Sequence, residues 1–178
     1  MFHNVLSFSR CTTEDVDKLV SRFRGRFQTS SNWGLETVAL KSVTPLCRYV
    51  FTDRLNYAKN SLLACQKYDI PLFYPYSVQY MDGSVHLIAP PIVEERNGSL
   101  FLGDGMHRFY CAIALGVETA CVLVTHNCTL PFPGVPQVWE NVSECPKQLP
   151  VQCNFEDFSR LGLTGYSKFC NSDVFWSR

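Results

Sequence analysis

The chain has 178 residues, which suits one ordinary domain at roughly 100–200 residues and leaves no room for two independent cores. Hydrophobic residues make up 46% and aromatic residues 13%, against 18% charged, a balance that excludes a disordered chain and calls for a packed core. Sixteen basic and sixteen acidic residues cancel, so no bulk charge draws the chain to a phosphate backbone or an anionic membrane, and nucleic acid is a disfavoured partner.

Thr12 or Thr13 can cap a first helix, whose Val16, Leu19, Val20 and Phe23 recur at helical spacing and which should end near Gly25. Residues 27–46 read as loop with one short strand around 36–40. Asp53 is the expected cap of a second helix reaching about Lys67, with Leu55, Ala58, Leu62 and Cys65 on one face and Ile70-Pro71 as its stop. Period-two residues then take over. Segments 72–80 and 84–88 flank Met81-Asp82-Gly83, while 92–96 and 99–102 flank Asn97-Gly98, so the spacing predicts two hairpins closed by dipeptides that favour type I′ turns. Gly103-Asp104-Gly105 leads into a helix over 106–115 closed by Gly116, and 120–125 is a further apolar strand. Beyond Asn127 prolines punctuate the chain as far as Trp139, where a short helix or turn is expected. An aromatic tail from Val151 should wrap the body or join a homo-oligomeric contact.

Helices and short strands alternate without a strict βαβ order, so the expected class is α+β: a small mixed sheet with hairpins in a single domain over 1–178. Nine cysteines are an odd number with no C-x-x-C pair, and four histidines lack ligand spacing, so neither a disulfide framework nor a metal site is expected. The first ten residues carry no secretory pattern and no run of about 18 apolar residues occurs. A cytoplasmic chain with reduced thiols and no membrane partner is the expectation.

Chemistry concentrates between Pro90 and Gly116. A strand runs through Gly103 and Gly105 into a helix start, where glycines let the backbone approach a ligand and the first helical N–H groups point outward with the positive end of the dipole. Such a start is a cradle for an anion. Arg108 adds a planar cationic fork, and His107 a donor expected to titrate near neutrality. Asp104 can cap the helix, orient a metal, or accept a proton from an acceptor hydroxyl. Glu94 and Glu95 are adjacent on a strand and face opposite sides, so one at most can face the cradle. Lys41, Arg48 and Arg54 are either solvated or within reach of a triphosphate. Phe109 or Tyr110 can stack on a base or pack in the core, where Cys111 and Cys121 are also expected; His86 and His126 read as structural.

The run Asp104-Gly105-Met106-His107-Arg108, followed by Ala112 and Leu115-Gly116, resembles the D-G-x-H-R signature of the ParB/sulfiredoxin-like superfamily. Pro91-Ile92-Val93 and its hairpin are similar to the strands before that signature. The resemblance covers about 77–125 and leaves an N-terminal helical extension, 1–70, and a proline- and aromatic-rich extension, 127–178. Met106 stands where sulfiredoxins carry a catalytic cysteine, and no basic helix-turn-helix follows as in partition proteins. Members that phosphorylate free serine are therefore closest in character. The resemblance implies phosphotransfer from ATP or ADP to a small hydroxylated metabolite, with the phosphates held by Gly103, Gly105, Met106, His107 and Arg108. It further implies Asp104 or Glu95 as base, His107 stabilising developing charge, and Mg²⁺ bridging the phosphates. The alternatives are a non-catalytic module that binds CTP or ATP for sensing or protein interaction, and a ParB-like nuclease, which the neutral charge disfavours.

Overall fold

In the computed structural model the residues described are 5–23, 32–127 and 135–146. The class is α+β, and the strongest local signals mark its turns. Asn97 and Gly98 take φ of 53° and 77°, the paired positive angles of a type I′ turn, between β7 (Ile92–Arg96) and β8 (Ser99–Asp104). Asp82 accepts hydrogen bonds from the Ser84 N–H and hydroxyl and holds the turn between β5 (Tyr76–Tyr80) and β6 (Val85–Ile88). That hairpin starts at Tyr76, later than expected, because Phe73 adopts φ of 62° and Tyr74 N–H bonds back to the Pro71 carbonyl, which turns the preceding residues. Helix α3 (Met106–Ala114) ends as the glycine predicts: Gly116, at φ of 75°, and Val117 donate to the Ile113 and Ala112 carbonyls in a Schellman closure.

The other two helices begin differently from each other. At α1 (Thr13–Phe23) Thr12 is the cap: its hydroxyl oxygen accepts from Asp15 N–H, while the Asp15 carboxylate accepts from Thr12 N–H. At α2 (Thr52–Lys67) the preceding residue is Phe51 and no side chain caps the helix; Asp53 lies inside the first turn and takes the Arg54 N–H at 2.9 Å. Ala58, Leu62 and Cys65 form the buried face of α2, as their spacing requires.

Sheet pairing departs furthest from expectation. Five strands assemble in the order β2 (Trp33–Ala39), β9 (Thr119–Thr125), β7, β8, β3 (Val43–Pro45). Parallel and antiparallel neighbours alternate across this sheet. β1 (Val5–Arg10) adds to the β5–β6 hairpin as a separate three-stranded sheet, and β4 (Tyr49–Phe51) pairs with β10 (Ser143–Cys145). The segment before residue 70 holds both expected helices, and strands as well. It supplies four strands, two of which complete the main sheet, and the 27–46 stretch read as mostly loop holds β2, β3 and a 3₁₀ turn at Leu40–Ser42. Residue-by-residue patterns missed the two strands because β3 pairs with a strand 57 residues away and β2 with one at least 80 residues away, a long-range choice.

One face of the main sheet packs on α2 and α3 through Val38, Val93, Leu102, Val122 and Val124, with Leu62, Phe109 and Ala112 from the helices. Phe73, Phe109 and Trp139 form a stack, with ring centroids 5.9 and 6.2 Å apart. Trp139, in a 3₁₀ turn at Trp139–Asn141, also donates its Nε1–H to the Val43 carbonyl at 2.9 Å. Phe109 is therefore a core residue, unavailable for stacking on a base. Among the described residues no helix is long and apolar enough to cross a membrane. The aromatic tail from Val151 and the expected helix end at Gly25 lie outside the described residues.

Candidate functional site at two adjoining helix starts

The topology brings two helix starts to one end of the main sheet. β3 and β8 run parallel as neighbours, Pro45 beside Leu102, so the chain leaving each strand emerges at the same edge. From β3 it continues through β4 into α2, and from β8 through Gly105 into α3.

Gly105 is required twice over. Its φ is 97°, and a Cβ there would stand 2.7 Å from the Pro91 Cβ. Asp104 is the last residue of β8, and Gly105 occupies the cap position of α3 without any side-chain capping bond. Capping therefore does not explain Asp104. The first intrahelical bond of α3 runs from Phe109 N–H to the Gly105 carbonyl, so the N–H groups of Met106, His107 and Arg108 precede the helical ladder. At the preceding step the β7–β8 register shifts, pairing Ile92 with Asp104 and Val93 with Leu102, and Gly103 is the extra residue of this bulge. Its missing side chain leaves space for the Glu94 carboxylate, which a Cβ would approach at 3.4 Å.

His107 links the two helix starts. Its Nε2 accepts the backbone N–H of Phe51 at 2.9 Å, and its ring stacks on that of Phe51 with centroids 5.9 Å apart. Accepting at Nε2 places the proton of the neutral ring on Nδ1. Burial drives its pKa down to about 4, helped by the positive charges of Arg54 and Arg108 and opposed by the carboxylates of Asp104 and Asp53. The expectation that His107 titrates near neutrality is thereby corrected: a desolvated imidazole resists protonation. Four charged side chains from the two helix starts thus act on one ring. Arg54 also lies over the Phe51 ring at 5.6 Å.

Arg108 turns inward from the same helix turn. Its Nη1 donates to the Ala89 carbonyl at 2.5 Å, its Nη2 stands 3.6 Å from Asp104 Oδ2, and the guanidinium lies 5.8 Å over the Phe73 ring. It fastens the segment before β7 to the start of α3, so its backbone N–H, rather than its fork, faces the helix start.

Neither glutamate joins this group. Glu94 is 2% exposed and pairs with Arg96 on the sheet face away from the helices. Glu95 shares the helix-side face with Val93 but lies opposite Leu100, four residues along β8 from Asp104, roughly 13 Å at about 3.3 Å per residue. There it accepts Gly98 N–H at 2.6 Å and faces His126 Nδ1 at 3.5 Å, while His126 Nε2 faces Glu36 at 3.2 Å. The structure therefore gathers Gly103, Asp104, Gly105, Met106, His107 and Arg108 and separates Glu95 from them. Two contributors the sequence reading missed are Phe51 and Asp53. The signal for Asp53 was an acidic residue beside Arg54 at a helix start, which was read as a cap.

Among the described residues no group of three His, Cys, Asp or Glu side chains is arranged to hold a metal. A Mg²⁺ ion shared with phosphates needs only one or two carboxylates, and Asp104 and Asp53 are the oxygen donors that fit. Among the described residues the cysteines offer no nucleophile here. Burial raises Cys111 and Cys47, and takes Cys121 and Cys11 to about 11.

No curated protein and no solved structure matches the chain. The family model of the ParB CE domain matches residues 19–143, a span that takes in both helix starts and the whole five-stranded sheet, and the chain belongs to the ParB CE domain family.

Proposed function

We propose that this ParB CE domain binds a nucleotide through its phosphates at the joined starts of α2 and α3 and transfers phosphate from ATP or ADP to a small hydroxylated metabolite. The observation that carries this is the bond from Phe51 N–H to His107 Nε2, which holds two uncapped helix starts side by side with Asp53, Arg54 and Asp104 around them. Two positive dipole ends and an arginine favour a polyanion. The backbone N–H groups of Met106, His107 and Arg108 hold phosphate oxygens, Gly103 and Gly105 allow close approach, and the neutral His107 has an Nδ1–H to donate to charge that develops on transfer. Asp104 is the base: it takes the proton of the acceptor hydroxyl as the oxygen attacks the terminal phosphorus and the nucleotide leaves. Glu95 is too far along the strand for this part. Mg²⁺ would be held with the phosphates against Asp53, leaving the Asp104 carboxylate to act as the base, and would neutralise phosphate charge.

Titration of the full chain with ATP, ADP and CTP, with and without Mg²⁺, tests the proposal. Saturable binding that weakens in Arg54→Gln and survives in Asp104→Asn supports it, as does turnover lost in Asp104→Asn. Absence of binding by all three nucleotides overturns it. A nucleotide that binds and stays intact with every hydroxylated metabolite tried identifies a non-catalytic sensing module instead.

A further inference from the structure

Among the described residues four other than glycine take positive φ. Asp69, Asn97 and Asn127 have short polar side chains that tolerate it, and the fourth is Phe73, at 62°. Tyr74 N–H bonds to the Pro71 carbonyl at 2.9 Å while Leu72 keeps negative φ, so residues 71–74 make a type II turn with Phe73 where glycine is favoured. The chain is held on both sides of it. Ile70 N–H bonds to the Cys65 carbonyl of α2 at 2.9 Å, and Cys121 N–H of β9 bonds to the Leu72 carbonyl at 3.0 Å.

The turn delivers a ring. Phe73 is 3% exposed and meets two consecutive side chains of α3: Phe109, stacked with 19° between the planes, and Arg108, whose guanidinium carbon stands 5.8 Å from the ring centroid. Phe109 rests in turn on Trp139, which is fixed by its Nε1–H bond to the Val43 carbonyl, so the ring that meets Arg108 has a firm backing. Glycine or asparagine would close the same turn with less strain, and neither would bring a ring to the arginine. The Arg108 side chain is 16% exposed, and a guanidinium out of water is favoured over an aromatic face. With that face against it, the fork is turned to the Ala89 carbonyl and to Asp104.

We propose that Phe73 is a positioning residue of the site: its left-handed backbone sets the ring against Arg108, which keeps the guanidinium turned inward beside Asp104 and off the N–H groups at the start of α3. The catalytic consequence rests on the phosphotransfer reading, in which Asp104 is the base; the hold on Arg108 does not.

The test follows the Arg108 Nε–H in nitrogen–proton NMR spectra of the full chain, assigned by its loss in Arg108→Lys. In the parent it is expected apart from the exposed arginines, displaced by the Phe73 ring current and slow to exchange with water. Phe73→Leu and Phe73→Met keep an apolar side chain without a ring face, and in either the signal should rejoin the exposed arginines and exchange about tenfold faster. For ADP release from ATP and Mg²⁺ with glycerol as acceptor, kcat should fall about tenfold in these variants with KM for ATP unchanged. Val38→Ala, a core truncation on β2, should lower the urea midpoint and move neither readout, which separates a hold on the arginine from simple packing. A parent Arg108 signal like that of the exposed arginines overturns the proposal without any variant having to fold. A signal unchanged in both Phe73 variants overturns it too, as does a kcat lost equally in Val38→Ala. If the parent binds ATP and releases no ADP with glycerol or any other hydroxylated acceptor, the phosphotransfer reading fails and the catalytic consequence with it, and the Arg108 exchange alone decides the hold.

Discussion

Gly105 and Pro91 are packed so closely that a methyl group added to Gly105 would meet the proline Cβ at 2.7 Å. This contact seats the start of α3 against the segment entering β7, and it makes position 105 intolerant in a way that the other turn glycines are not. A non-glycine residue at positive φ costs about 1–3 kcal/mol, and overpacking adds a similar amount. Gly105→Ala is therefore expected to lower stability by about 2–4 kcal/mol. Gly116→Ala has a φ of 75° and no atom within 4 Å of the new Cβ, so about 1–2 kcal/mol is expected there. Urea midpoints of the two variants check the order.

His107 makes the fold acid-sensitive. In the unfolded chain it takes up a proton near its ordinary 6.5, whereas burial in the folded protein delays this to about 4. Between those values the folded state binds fewer protons, so the stability His107 contributes is present above pH 6.5 and is lost as the pH falls toward 4. The difference corresponds to about 3 kcal/mol. His107→Gln retains an acceptor for Phe51 N–H and cannot titrate, so its melting temperature should fall less steeply across that window. A profile as steep as that of the parent would place the acid lability in another group.

Arg108 and Asp104 form a pair with unequal duties. Arg108 is largely buried and holds the Ala89 carbonyl, so Arg108→Met is expected to cost about 1–3 kcal/mol by leaving that carbonyl without its partner. Asp104 is about one third exposed and stands 3.6 Å from its partner, so Asp104→Asn should cost less than about 1 kcal/mol. Thermal denaturation of both variants beside an ATP titration separates the roles. Asp104→Asn should keep its fold and its nucleotide and lose turnover, and a destabilisation equal to that of Arg108→Met would make Asp104 structural.

Thiol reactivity should follow burial. Cys11 is buried, and its thiol is pushed up to about 11 by desolvation and by Asp15; Cys65 is buried and raised as well. A two-unit rise leaves about a hundredfold less thiolate at neutral pH. Peptide mass spectrometry after iodoacetamide treatment at pH 7.5 should show both residues protected in the folded protein and alkylated in urea. Labelling of Cys11 at the same rate in both conditions would contradict its burial just after β1, where its N–H bonds the Pro75 carbonyl.

Short-range chemistry was enough to read much of this protein. Asn97-Gly98 specifies its type I′ turn because few residue pairs adopt two positive φ angles, whereas at Asp82-Gly83 only the glycine is at positive φ, so that turn closes the hairpin without being type I′ and is held by the Asp82 carboxylate. Gly116 closes α3 by its positive φ, and Ala58, Leu62 and Cys65 declare the buried face of α2 by spacing alone. The helix start after Gly105 was legible too, since glycines, a carboxylate, a histidine and an arginine within the six residues 103–108 have few bland explanations. Tertiary structure decided what those side chains face. His107 meets the N–H of a residue 56 positions earlier, Arg108 turns to Ala89 behind it, and Glu95 ends up four residues up a neighbouring strand, because each outcome depends on strand order rather than on neighbours in sequence. The same reason hid β2 and β3, whose partners β9 and β8 lie far along the chain: a strand is stabilised by what it pairs with, and pairing is not written in its own residues.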